Sequence, residues 1–184
     1  MVAARPRSEG MLARIFVAVA VAIIAATVAL YLTLIRSQGG PPPDDVLTVP
    51  FVAGYLSLMA VFLIVSLVVP QGARPALRSG AGCGLLVLGV LSAFSIGVPV
   101  LMAGAFSLAT AGIAIAARPG ARSVVSSIAA GVVAVVVLLG GFQYTWSHIV
   151  CPPTGESGGT TASVLGQGTT YECHNGVLTI PTIP

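Results

Sequence analysis

The chain has 184 residues, 56% hydrophobic and 7% charged, with a mean hydropathy of +1.02 and a net charge of +3. Soluble domains carry about 25% charged residues, so this chain cannot cover a surface that faces water throughout, and an all-α integral membrane protein is expected. The positive charge is too small and too dispersed for a nucleic-acid partner; the lipid bilayer is the expected one.

All eight basic residues are arginine, as a GC-rich genome would produce, so a bacterial source is expected. Residues 1–14 carry Arg5, Arg7 and Arg14. An apolar run follows at 15–35, whose 21 residues suffice to cross a bilayer core of about 30 Å. Signal-peptide cores are shorter, about 7–15 residues, and no A-x-A site closes this run, so it reads as an uncleaved first span.

The loop RSQGGPPPDD, residues 36–45, leads to a second span at 49–69. Pro50 suits a first helical turn and Pro70 stops the run. QGARPALRSG, residues 71–80, reads as a short loop holding Arg74 and Arg78.

Residues 81–117 are apolar throughout. One helix of that length would measure about 55 Å, far more than a bilayer core or its tilt can absorb. Gly97-Val98-Pro99 supplies a break, giving spans at 79–96 and 99–117 joined by a tight turn within FSIGVPVLMAG. Charge supports the split. With five crossings, Arg5, Arg7, Arg14, Arg74, Arg78, Arg118 and Arg122 share the cytoplasmic side, and only Arg36 lies outside. Four crossings would put Arg118 and Arg122 outside.

The last span is expected at 123–144, with Phe142, Tyr144 and Trp146 as an interfacial belt where the chain leaves the membrane. Residues 15–149 thus form a five-span helical bundle, and residues 150–184 an extracytoplasmic tail. In the tail, Asn175-Gly176 between strand formers predicts a β-hairpin over 169–180. Cys151 and Cys173, in an oxidising compartment, are expected to form a disulfide that stabilises this small module by about 3 kcal/mol. Cys83, in the third span, reads as a small packing residue.

Sharper chemistry finds weak support. His148, Cys151, Cys173 and His174 could make a Cys₂His₂ zinc set, but Cys173 and His174, adjacent on a strand, would face opposite ways. GESGG, residues 155–159, matches a nucleophile elbow, with Glu172 and His174 following in order. No α/β sheet could support it, and a flexible loop is the plainer reading. The spans hold no ionisable residue away from their ends, which argues against a proton relay. No catalytic residue, cofactor or metal is therefore expected.

Small residues recur at packing distance: Gly80 and Gly84, Ala93 and Gly97, Ser127 and Gly131, and Ala18, Ala22 and Ala26. They would pack helices within one chain, or against a membrane-protein partner or a second copy. Two roles remain open. The first is a non-enzymatic accessory, assembly or scaffolding subunit of a complex in the cell membrane. The alternative is a transporter or channel for an uncharged or apolar solute.

Overall fold

The computed structural model describes residues 11–37, 47–93, 95–117, 119–161 and 169–180. Arg5, Arg7 and Arg118 lie outside the described residues, as do Asp44 and Asp45. Among the described residues there are five helices: α1 Met11–Ser37, α2 Thr48–Val68, α3 Arg74–Leu91, α4 Gly97–Ala117 and α5 Ala121–Ser147. Three strands follow: β1 Glu156–Thr161, β2 Thr169–His174 and β3 Val177–Thr179.

Four of the helices, α1, α2, α4 and α5, are long and apolar enough to cross a bilayer, the mark of a membrane protein. Helix α3 is not among them. Its 18 residues begin with Arg74 and include Arg78, Ser79 and several glycines, which dilute its apolar character.

The chain divides into two compact units, Met1–Tyr31 with Tyr55–Leu138, and Leu32–Gly54 with Leu139–Pro184. In the first, α3 is the least apolar helix and also the most enclosed. Gly84 lies against Tyr55 and Met59 of α2, Gly80 against the Ala130 backbone of α5, and Gly82 against Leu108 of α4. A helix shielded by three apolar neighbours does not need an apolar exterior of its own. Its glycines are what let the neighbours approach. The outer helices show the converse pattern. Helix α1 buries Ala13, Val17, Ala20, Ile24 and Thr27, a single face at alternating four- and three-residue steps.

Helices α3 and α4 form an antiparallel hairpin. Gly82 meets Leu108, Leu86 meets Gly104, and Gly89 meets Leu101, so numbers rise on one helix as they fall on the other. Both helices carry the same spacing, G-x-x-x-L-x-x-G, at Gly82-Leu86-Gly89 and at Gly97-Leu101-Gly104. Each leucine fills the hollow left by a glycine opposite.

The break between them falls earlier than the apolar pattern predicts. Helix α3 starts at Arg74 rather than 79 and ends at Leu91 rather than 96. Pro75 sits in its first turn, where a missing N–H is harmless, and the Arg74 Nε donates to the Val69 carbonyl at 3.0 Å. The chain reverses between Leu91 and Gly97. There the Gly97 N–H donates to the Ser92 carbonyl at 2.8 Å, and Gly97 packs so closely on the Gly89 and Ser92 carbonyls that a Cβ would not fit. Gly97 and Pro99 thus occupy the first turn of α4 instead of the loop, a position proline tolerates.

In the second unit, Phe51 of α2 meets Phe142 of α5 edge-on, with centroids 5.3 Å apart, and Phe142 stacks on Trp146 at 5.3 Å. Gly141 leaves the space that the Phe51 ring fills. The tail is a three-stranded antiparallel sheet of order β1-β2-β3. The expected hairpin is β2–β3, turning at Asn175 and Gly176, both with positive φ. Strand β1 stands where the sequence alone suggests a flexible loop. Its glycines account for the difference: Gly159 lies beneath the Tyr171 ring, which covers the strand that glycine leaves bare.

Candidate functional site

The most enclosed charge among the described residues is Arg78, whose side chain has no exposed surface. It does not lie in a loop, as the sequence suggests. It stands one turn into α3, where its Nε donates to Ser66 Oγ of α2 at 3.2 Å and its Nη1 to the Thr110 carbonyl of α4 at 3.4 Å. Guanidinium carries five donors in a rigid fork, so one side chain can tie three helices together. Ser66 and Thr110 in turn donate to their own helices, at the Leu63 and Ser107 carbonyls. Nothing in composition could reveal this, because Arg78 resembles any loop arginine until α3 is known to start at residue 74.

In the same unit, α2, α3 and α5 line an apolar groove of about 190 Å³. Tyr55, Phe62, Leu77, Gly80 and Ala134 are among its walls. The Tyr55 hydroxyl, its one polar side-chain oxygen, donates to the Ala134 carbonyl at 2.9 Å. Three wall residues, Leu58, Val133 and Val137, are also 42%, 61% and 49% exposed, so the groove opens on the outer face of the helices.

At the end of the unit where α3 and α5 begin lies a second, more open chamber of about 630 Å³, whose lining is mainly apolar but includes one guanidinium and two serines. Gly72 and Ala73 line one side, and Gly120, Arg122, Ser123 and Ser126 the other. Ala76 lines both chamber and groove, so the two adjoin. Arg122, anticipated only as a topology signal, is here the chamber's cation. Ser127 of α5, which lines neither cavity, carries a buried Oγ with no hydrogen-bond partner.

The remaining small-residue pairs are distributed unevenly. Gly80, Gly84 and Gly97 pack against other segments of the same chain, and Gly131 lies against Cys83. Ala18, Ala22 and Ala26 instead lie exposed along α1. Arg14 is exposed near the start of α1.

Among the described residues of the tail, the groups singled out in the sequence do not converge. Cys151 and Cys173 are joined in a disulfide, with Cα atoms 5.4 Å apart. Ser157 pairs across the sheet with Cys173, and so shares its face. His174 is on the opposite face, where its Nδ1 lies 3.1 Å from Glu156 Oε1. Serine and histidine of the GESGG pattern thus point apart, and the serine sits in a strand rather than a strained turn. His148 lies against Tyr144, with Nδ1 2.9 Å from the Tyr144 carbonyl oxygen and 3.0 Å from Ser147 Oγ, so it finishes α5. Among the described residues, no three His, Cys, Asp or Glu side chains converge to hold a metal. No protein-family model matches the chain, and no curated protein and no solved structure is detectably similar to it.

Proposed function

We propose that the chain crosses the cell membrane five times, with its N-terminus cytoplasmic and its sheet outside, and acts as a non-enzymatic accessory or scaffolding subunit. Two features support the topology. The α3–α4 hairpin reverses the chain inside the 81–117 block, and the enclosure of α3 by α2, α4 and α5 supplies an apolar surround that its own composition lacks. A helix of 18 residues is about 27 Å long, close to the bilayer core. Arg74 and Arg122 then share the cytoplasmic end, in keeping with the positive-inside rule.

The observation that carries the subunit role is strand β3. It ends the sheet on one side and bears no charge; its Val177 and Leu178 are 64% and 41% exposed, and Ile180 just after it is 55% exposed. Natural edge strands are usually blunted by charge, proline or a bulge. An uncharged edge of aliphatic side chains, paired to the disulfide-bonded strand β2, suits a partner that adds a strand or an apolar surface.

A photo-crosslinker at residue 177, used in intact cells, tests this. One defined membrane-protein adduct, lost on Val177→Lys with Ile180→Lys, is the expected result. A solitary monomer that carries solute across liposomes would favour the transporter reading. Topology is tested separately with an impermeant maleimide, which should label Ile180→Cys in whole cells and Gly120→Cys only after lysis.

A further inference from the structure

We propose that the groove and the chamber together form one binding site for a single anionic glycerophospholipid of the surrounding bilayer. One acyl chain would lie in the groove and the phosphate would lie beside Arg122.

The argument rests on the match between two adjoining cavities and an amphipathic ligand. The groove is walled by aliphatic and aromatic side chains, and its tyrosine hydroxyl is committed to the Ala134 carbonyl. The side chains of such a cavity offer a ligand no free hydrogen-bond donor, and it takes hydrocarbon. At about 190 Å³ it is comparable to the roughly 150 Å³ apolar cavity that accepts a benzene ring in another protein. It opens between Leu58, Val133 and Val137, on the face where lipid chains lie in a membrane-spanning unit.

Unlike the groove, the chamber carries a charge. It is bounded by the α2–α3 connection, the glycine before α5, two serines and a guanidinium. Arg122 is the second residue of α5, so its charge and the first-turn N–H groups of that helix lie at the same end. No acidic side chain lines the chamber. Charge complementarity therefore selects an anionic headgroup over a zwitterionic one. Ala76, shared by both cavities, marks the passage from headgroup to chain.

The site depends on the helices being membrane-embedded and not on any partner subunit. If the membrane reading itself failed, the full chain would stay soluble without detergent, which is a separate outcome from those below.

The test uses the full chain in a neutral detergent, with thermal unfolding followed as dioleoyl phosphatidylglycerol or dioleoyl phosphatidylcholine is titrated in. The expected result is a Tm that rises with phosphatidylglycerol and much less with phosphatidylcholine. Arg122→Gln, an exposed and fold-neutral change, should weaken the phosphatidylglycerol effect about tenfold or more, the loss of one charge-assisted hydrogen bond. Arg122→Lys should retain much of it. Ala76→Phe, which plugs the passage, should remove it. If Ala76→Phe does not fold, soluble glycerol 1-phosphate tests the same point, because a headgroup without chains should give no shift. Equal stabilisation by both lipids, an undiminished effect in Arg122→Gln, or a full shift from glycerol 1-phosphate would each overturn the proposal.

Discussion

Two glycines on α4 should respond to alanine with opposite signs. Gly104 faces Leu86 across the α3–α4 seam. A Cβ built there falls 3.0 Å from the Leu86 Cγ and 3.0 Å from the Leu86 backbone nitrogen. The side chain could yield alone, but the backbone contact requires the helices to separate. Overpacking of this kind costs about 1–3 kcal/mol. Alanine also returns about 0.5–1 kcal/mol by suiting a helix better than glycine. Gly104→Ala should therefore lose about 1 kcal/mol net. Gly112, two turns further along, has nothing within 4 Å of the same built atom. Gly112→Ala keeps only the helical gain and should stabilise by about 0.5 kcal/mol. The assay is unfolding of the full chain in mixed micelles by added denaturing detergent, read by circular dichroism. A third variant, Leu86→Gly with Gly104→Leu, exchanges knob and hollow. It should recover much of the loss seen in Gly104→Leu alone, a coupling that distant sites would not show. If Gly104→Ala and Gly112→Ala shift stability the same way, the glycine–leucine seam is not what holds the hairpin.

Replacing Cys151 and Cys173 with serine opens a bridge between residues 22 apart, and should destabilise the sheet by about 3 kcal/mol; limited proteolysis should then cut within 151–180 while the helices stay resistant. Arg78→Ala leaves Ser66 Oγ and the Thr110 carbonyl without their guanidinium, and should cost about 2–4 kcal/mol by the same micelle unfolding assay. Tyr55→Phe removes the bond to the Ala134 carbonyl and should cost about 1 kcal/mol in that assay. His174→Gln should leave sheet stability, read by the same proteolysis, unchanged within error, because the side chains of His174 and Glu156 are 56% and 76% exposed.

Sequence makes the helices legible wherever length and hydropathy carry the signal. The runs at 15–35, 49–69 and 123–144 all lie within or beside α1, α2 and α5. The reversal after α3 is also readable, because residues 81–117 exceed one bilayer crossing. What is not legible depends on enclosure. Arg74 and Arg78 look like loop charges, since a rule based on apolar runs starts a helix after its arginines. A buried arginine joined to Ser66 and Thr110 cannot be seen without its partners in place. The repeat G-x-x-x-L-x-x-G is present in the letters but hard to single out, because in a chain with 22 glycines a search for G-x-x-x-G finds other pairs first. Strand β1 is hidden for a related reason. Glycine-rich GESGG has no strand propensity of its own and is held by pairing with β2 and by Tyr171 lying over Gly159. In the tail, alternation is informative: Tyr171 and Cys173 are buried and Glu172 and His174 exposed, as period two requires.

Because α3 and α4 carry one shared code read in opposite directions, the hairpin is complementary to itself. Nothing in the pairing tells its own second arm from the same arm of a neighbouring copy. What favours the intramolecular match is the tether over residues 92–96, which keeps the local concentration of the correct arm high. The polypeptide thus guards against exchange between protomers by the brevity of a connection rather than by the chemistry of the contact.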